Sequence, residues 1–259
     1  LTPIARGEAA RANGWALVTG AARRLGRTLA LAAAEAGHDV LVHARAPFDA
    51  AETADLVKAK GVRAQIVAGD LADRDFARAL IARAPGPVTL LVNCASVFEA
   101  DEIATLKPES LDEAWAVNLR APLLLCQAFA AALPADRRGL IVNILDQRVW
   151  RLNPMFFSYT VTKAALWAAT QTLAQALAPR IRANAIGPGP TLASVHQNAE
   201  IFAAEAAATP LGEAATPEHI AQALRYLIDA VSVTGQMIAV DGGQHLAWRT
   251  PDVLAGLPA

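Results

Sequence analysis

The stretch WALVTGAARRLG, residues 15–26, decides how this chain folds. WALVTG (15–20) is an apolar run of strand length, and it passes through Thr19-Gly20-Ala21-Ala22-Arg23-Arg24-Leu25-Gly26 into an Ala/Leu-rich helical stretch. A strand that turns through glycines into a helix gathers backbone N–H groups and the positive end of a dipole at one point. That point suits a pyrophosphate, because glycine permits close backbone approach and the helix N-terminus attracts the charge. The Gly-x-Gly-x-x-Gly spacing is incomplete: Gly20 and Gly26 remain, and Arg24 stands where a middle glycine is expected. Arg23, Arg24 and Arg27 cluster at the turn. Cations at a helix start oppose the dipole unless an anion is present, so the cluster reads as an anion site or as a solvated basic turn.

Outward from this stretch, short β-rich runs alternate with longer helical ones. Strands are expected at 15–20, 39–44, 63–69, 88–94, 140–145, 181–187 and 235–242, and helices near 25–36, 49–60, 73–83, 110–133, 155–178, 196–208 and 217–230. The strands show little two-residue alternation, which implies a parallel sheet covered on both faces. The expected fold is α/β: a single Rossmann-type, doubly wound domain with a seven-stranded parallel sheet over residues 14–259. Residues 1–13 lack an apolar core of signal-peptide length and read as a loose tail. A formal net charge of −1 over 259 residues argues against nucleic acid or a membrane as electrostatic partner, and no long uncharged apolar run suggests a spanning helix. Cys94 and Cys126 lie in apolar contexts and fit two free thiols in a reducing cytoplasm. No metal-ligand spacing occurs.

The chemistry-bearing residues fall at the carboxyl ends of the expected strands. VHARA places His43, Ala44 and Arg45 after the second strand. A cation there accommodates a ribose 2′-phosphate where an acid would hold the 2′-hydroxyl, which favours NADPH over NADH; plain surface charge is the other reading of Arg45. Asp70 and Leu71 follow the third strand and are placed beside the adenine, and Asn93, Ala95 and Ser96 follow the fourth. Asp146 closes the fifth strand, thirteen positions before Tyr159. Tyr159 and Lys163 are four apart on a helix and share a face. An ammonium beside a phenol is expected to lower the phenol's pKa towards neutrality.

TGAARRLG, GDL, NCAS, Asn118, Tyr159-x-x-x-Lys163, the Gly187-Pro188-Gly189 turn and VDGG together resemble the short-chain dehydrogenase/reductase family over roughly residues 14–245. The resemblance implies a Rossmann fold, a nicotinamide cofactor and a homotetramer. It implies Tyr159 as general acid/base, Lys163 on the nicotinamide ribose and Asn118 holding a relay water. It further implies cofactor contacts from Gly20, Arg23, Arg24, Leu25, Gly26, Pro188, Gly189 and Thr191. Most members carry serine where Asp146 stands. An anionic carboxylate there would repel a developing oxyanion and suits a nitrogen heterocycle better. With Arg24, Ser96 and Phe98, the chain resembles the pteridine reductase branch, which implies a pterin stacked on Phe98 and contacted by Arg24, Ser96, Asp146 and Tyr159. Without that resemblance Phe98 reads as core packing. Trp150, Trp248 and His196 border the expected pocket or pack in the core, and Arg249 is a candidate to enter a neighbouring subunit's site. The expected reaction is NADPH-dependent reduction of a dihydropterin. The alternatives are a carbonyl or 3-oxoacyl reductase of the same family, or a non-catalytic NADP(H)-binding protein. Helices 110–133 and 155–178 are apolar on more than one face, which supports a dimer of dimers.

Overall fold

In a computed structural model, the structure describes residues 13–248; the expected tail before Asn13, and Arg249, lie outside the described residues. Seven strands form: β1 (Trp15–Val18), β2 (Asp39–Ala44), β3 (Ala64–Ala68), β4 (Val88–Asn93), β5 (Gly139–Ile144), β6 (Ile181–Pro188) and β7 (Met237–Val240). They pair in parallel in the order β3-β2-β1-β4-β5-β6-β7. Alternate residues of each strand face opposite layers. Ala16, Val18, Val40, Val42, Leu90 and Val92 pack against α1 (Arg24–Glu35), α2 (Pro47–Lys58) and α8 (Pro217–Asp229) through Leu29, Val57 and Leu224. Leu17, Leu41, Leu91 and Ile141 meet the other layer: α3 (Arg74–Ala79), α5 (Ala121–Ala132) and α6 (Phe157–Leu177), through Ala77, Phe129 and Ala174. The order reverses between β1 and β4, and the carboxyl ends of those two strands open the crevice where doubly wound sheets hold ligands.

Two expected helices are divided. The 73–83 stretch begins at α3, where the Asp73 carboxylate accepts from the N–H groups of Asp75 and Phe76, and ends in a separate 3₁₀ turn, Ile81–Arg83. The 110–133 stretch consists of α4 (Pro108–Ala114) and α5, joined by a π turn at Trp115–Arg120 in which Ala121 N–H donates to the Ala116 carbonyl. Proline explains the wider turn: Pro122 has no N–H to give to the Asn118 carbonyl four residues earlier, so regular α-bonding fails there. Among the described residues no helix is long and apolar enough to cross a membrane, and no cluster of potential metal ligands occurs. The remaining helix, α7 (Ala199–Ala207), follows a loop beyond β6 that covers one side of the crevice.

Candidate active site

A cleft of about 660 Å³ opens at the reversal point. Its floor is set by Thr19, whose hydroxyl accepts from Cys94 N–H (2.9 Å) and Ala95 N–H (3.1 Å), tying the ends of β1 and β4 together. Gly20 has φ +66°, and a Cβ there would lie 2.9 Å from Ala95 Cα. At Gly26 a Cβ would lie 2.1 Å from the Gly20 carbonyl oxygen, so the turn closes only around glycine. Arg24 supplies the left-handed conformation (φ +52°) that the missing glycine would have given. This backbone costs a non-glycine residue about 1–2 kcal/mol. The start of α1 carries no acidic residue in its first turn and no side-chain cap, which leaves its first N–H groups directed at the cleft for an anion. A dinucleotide pyrophosphate fits this cradle.

The three arginines of the turn divide. Arg23 and Arg24 line the cleft, and the Arg24 guanidinium crosses it to donate to the carbonyls of Ala193 (2.8 Å) and Leu192 (3.3 Å) in the covering loop. Arg27 instead grips both carboxylate oxygens of Glu52 (2.7 and 2.9 Å) and the Ala22 carbonyl, so it braces α1 against α2 although its stem borders the cleft. Leu25 and Gly26 complete this wall.

At the β2 end, Ala44 and Arg45 border the cleft, with Arg45 exposed, and Asp70 and Leu71 border it after β3. His43 also borders it, but not as a cation for a phosphate. It is buried, Nδ1 accepts from Gly20 N–H (3.2 Å), and Nε2 meets the Gly69 carbonyl at 3.1 Å. Burial lowers its pKa to about 4, so the ring is a neutral brace under the glycine turn.

Four expected contacts lie outside the cleft lining: Asn93, Thr191, Asn118 and Phe98. Asn93 does not reach the cleft: its side chain points into the layer beneath the sheet and donates to Asn143 Oδ1 at 2.8 Å, bridging β4 and β5. The strand's alternation puts Asn93 on the side of Leu91, away from the ligand crevice. Thr191 lies just outside the lining, its hydroxyl donating to the Gly189 carbonyl at 3.0 Å, while Pro188 and Gly189 do line it. Asn118 is fully buried, and its amide is committed: Oδ1 accepts from Val97 N–H (2.8 Å) and the Ser96 hydroxyl (3.0 Å), while Nδ2 donates to Val97 O and Thr162 Oγ1. The side-chain amide is thus fully used and positions Ser96, which does line the cleft. Ala95 lines it too.

The reactive set assembles at the inner end. The Tyr159 hydroxyl donates to Asp146 Oδ2 at 3.0 Å, and Asp146 Oδ1 accepts from Arg148 N–H at 2.8 Å. Lys163, buried, donates its ammonium to the Ile144 carbonyl at 2.7 Å and lies 5.6 Å from the centre of the tyrosine ring. The expected lowering of the phenol's pKa is not found. Burial, then the Asp146 charge and its hydrogen bond, hold the phenol well above its usual range, and Arg148 opposes them only in part. Burial also raises the Asp146 carboxyl, opposed by the Arg148 side chain, that residue's N–H and the tyrosine hydroxyl. Burial lowers Lys163 to about 8. Burial raises the thiol of Cys94, on the cleft floor, to about 11 and that of Cys126 to about 12, so both, free as expected, stay protonated near neutral pH.

Phe98 stands behind this set as an aromatic wall and is not itself among the residues that line the cleft. It meets Tyr159 edge-on at 4.7 Å and is stacked by Phe156 at 4.2 Å with 8° between planes. Phe156, which sequence reasoning passed over, has a left-handed backbone (φ +54°) that turns its ring onto Phe98. His196, from the covering loop, places Nε2 3.0 Å from the Phe98 carbonyl. The loop is further held by Gln197, which donates to Glu205 Oε2 (2.6 Å), while Gln244 donates to Oε1 of the same carboxylate (3.2 Å). Trp150 is half-exposed and packs edge-on against His245 (5.1 Å) and Trp167, and Trp248 is also exposed. Asp49 in the first turn of α2, Glu113 at the end of α4 and Val117 in the π turn also line the cleft; no motif marks them, and only the fold brings them here.

Comparison with known proteins agrees with this architecture. The sequence profile described as enoyl-(acyl carrier protein) reductase matches residues 20–245. The chain belongs to the short-chain dehydrogenase/reductase family. It is similar to the crystal structure of FolM alternative dihydrofolate reductase 1 from Brucella canis complexed with NADP (46% identity, 94% of this chain and 98% of that one, TM-score 0.89). It is likewise similar to the Brucella suis protein of that name in complex with NADP (48% identity, 93% and 99%, TM-score 0.89). It is also 30% identical over 240 residues to the 3-oxoacyl-[acyl-carrier-protein] reductase FabG of Staphylococcus aureus (strain Mu50), covering 89% of this chain and 98% of that protein.

Proposed function

We propose that this protein is an NADPH-dependent reductase of a dihydropterin, yielding the tetrahydro form. The observation that carries the reading is the Asp146 carboxylate hydrogen-bonded to Tyr159 in the cleft. A carboxylate beside the proton donor opposes an oxyanion and accommodates an N–H or a ring nitrogen gaining a proton. The similarity to two proteins described as alternative dihydrofolate reductases supports the same class. NADPH, when bound, supplies a hydride to the carbon of a ring C=N bond.

The chain's own residues do the rest. Gly20, Gly26 and the start of α1 receive the pyrophosphate, Arg45 the 2′-phosphate, and Lys163 the nicotinamide ribose. Phe98, one face of which Phe156 already covers, offers its other face to the flat heterocycle and holds it against the nicotinamide, so that orientation lowers the barrier. Tyr159, held firmly protonated, gives its proton to the ring nitrogen as the neighbouring carbon gains hydride, and water restores it. Asp146 fixes the phenol's orientation and disfavours a lasting phenolate. The two groups share one hydrogen bond, so their titration belongs to the pair.

The similarity to FabG favours a second reading, reduction of a 3-oxoacyl ketone. Purified enzyme with NADPH and either a dihydropterin or a 3-oxoacyl thioester separates them by the rate of NADPH oxidation. The proposal expects the dihydropterin to be much the better substrate, and a preference for the ketone by orders of magnitude rejects it. We further propose a homotetramer. Trp115 and Leu123 around the π turn, and Val161 on α6, are apolar side chains left exposed on the two long helical stretches, as faces that another subunit would cover.

A further inference from the structure

Arg148 is the charged group near the reactive pair to which neither the sequence motifs nor the proposed mechanism gives a task. It sits two residues after Asp146, and its backbone N–H fixes the carboxylate. Its guanidinium carbon lies 4.9 Å from the centre of the Phe156 ring and 5.7 Å from that of Phe98, the same wall that meets Tyr159 edge-on. One terminal nitrogen of that guanidinium is buried and has no hydrogen-bond partner among the described residues. A buried charged donor left unpaired is costly, and such groups are retained where an acceptor arrives from outside.

From this geometry we infer that Arg148 is a substrate-binding residue that donates to an acceptor atom on the heterocycle itself, the ring carbonyl or its deprotonated lactam. The inference rests on the pterin reading of the site. Its position selects the ring over a side chain: the guanidinium packs on the aromatic pair beside Tyr159 and its charge reaches both Asp146 and Tyr159. Asp146 and Tyr159 line the cleft, and the guanidinium stands just behind them on the aromatic wall, so a carboxylate, a phenol and a guanidinium there answer the acceptor and donor edges of a 2-amino-4-oxo ring in mirror order.

The test is pterin binding to the enzyme–NADP⁺ complex, followed by tryptophan fluorescence, using dihydrobiopterin (no charged tail) and dihydrofolate (a carboxylate-bearing tail). Arg148→Met preserves the packing against both rings and removes the donors. It is expected to weaken both ligands by roughly 10- to 100-fold, with NADP⁺ affinity unchanged and thermal stability not lowered, since an unpaired buried donor is removed. Arg148→Lys, which keeps the charge, is expected to recover part of the loss. A methionine variant that binds both ligands like wild type overturns the inference, as does a loss confined to dihydrofolate, which would place the contact on the tail. Wild-type enzyme that binds no pterin overturns the proposed function itself, and this inference with it; normal wild-type binding with an inert Arg148→Met change overturns this inference alone.

Discussion

Replacing Arg24 separates backbone strain from side-chain bridging, because alanine and glycine remove the same guanidinium but treat the backbone differently. The side chain makes two exposed hydrogen bonds to Leu192 and Ala193 carbonyls, together worth about 1–2 kcal/mol. Both variants lose them. Arg24→Ala keeps a Cβ in the left-handed region, φ +52°, and so keeps the strain of about 1–2 kcal/mol. Arg24→Gly releases that strain and gives back about 0.5–1 kcal/mol through the extra freedom of glycine in the unfolded chain. The glycine variant is therefore expected to be the more stable of the two by about 1 kcal/mol, or roughly 2–4 °C in Tm for a domain of this size. In both, the covering loop loses its tether across the cleft, so the KM for dihydropterin rises and protease cleavage between residues 191 and 198 accelerates. Thermal unfolding of the two proteins, side by side, is the assay. An alanine variant as stable as the glycine variant would refute the strain argument, and an unchanged cleavage rate in both would refute the tether.

Gly26→Ala forces a Cβ within 2.1 Å of backbone at Gly20, and the resulting shift is expected to cost about 1–3 kcal/mol and to weaken NADPH sharply; near-normal NADPH titration would contradict a closed turn. Arg45→Asp is expected to weaken NADPH far more than NADH, and an unaltered preference in steady-state assays would move the 2′-phosphate elsewhere. Stability should fall with acidification through His38 and His43, both buried with pKa lowered to about 4. The unfolded chain, titrating near 6.5, binds more protons than the folded one between those values, so their contribution is complete above about pH 6.5 and lost towards pH 4. Each histidine adds a slope of up to about 1.4 kcal/mol per pH unit. Denaturant unfolding at several pH values checks this, and His43→Asn should remove about half the slope; a flat profile over that interval contradicts buried neutral rings.

Much of the fold could be read from the chain because the central strands β1, β4 and β5 are buried on both faces and residues with chemistry to do follow close upon their ends. Gly20 and Gly26 marked the cradle, and Asp146, Tyr159 and Lys163 marked its inner end. What escaped depends on direction and on long-range packing. Asn93 and Ala95 are two apart in one motif, yet Asn93 points under the sheet and Ala95 lines the cleft after the strand has ended. His43 was expected to touch the cofactor, but its burial and its bond from Gly20 N–H make it a neutral brace beneath the turn. Arg27 sits beside Arg24 but is claimed by Glu52, a partner on another helix. The phenol's pKa depended first on its burial and then on which neighbour its hydroxyl faces, Asp146 rather than Lys163. The π turn had a sequence signal, Pro122 four residues after Asn118, that helical periodicity alone overlooks. Phe156 and Arg148 lie in a stretch noted for bulky side chains, but only their placement against Phe98 sets them apart.

The role of the carboxylate at the reactive tyrosine is tested most directly by Asp146→Ser, measuring kcat/KM for a dihydropterin and for a 3-oxoacyl thioester in wild type and variant, with NADPH affinity determined in parallel. The account expects wild type to favour the dihydropterin and the serine variant to lose most of that turnover, with NADPH bound as before. A variant that reduces the dihydropterin as well as wild type, or that loses NADPH in equal measure, contradicts it.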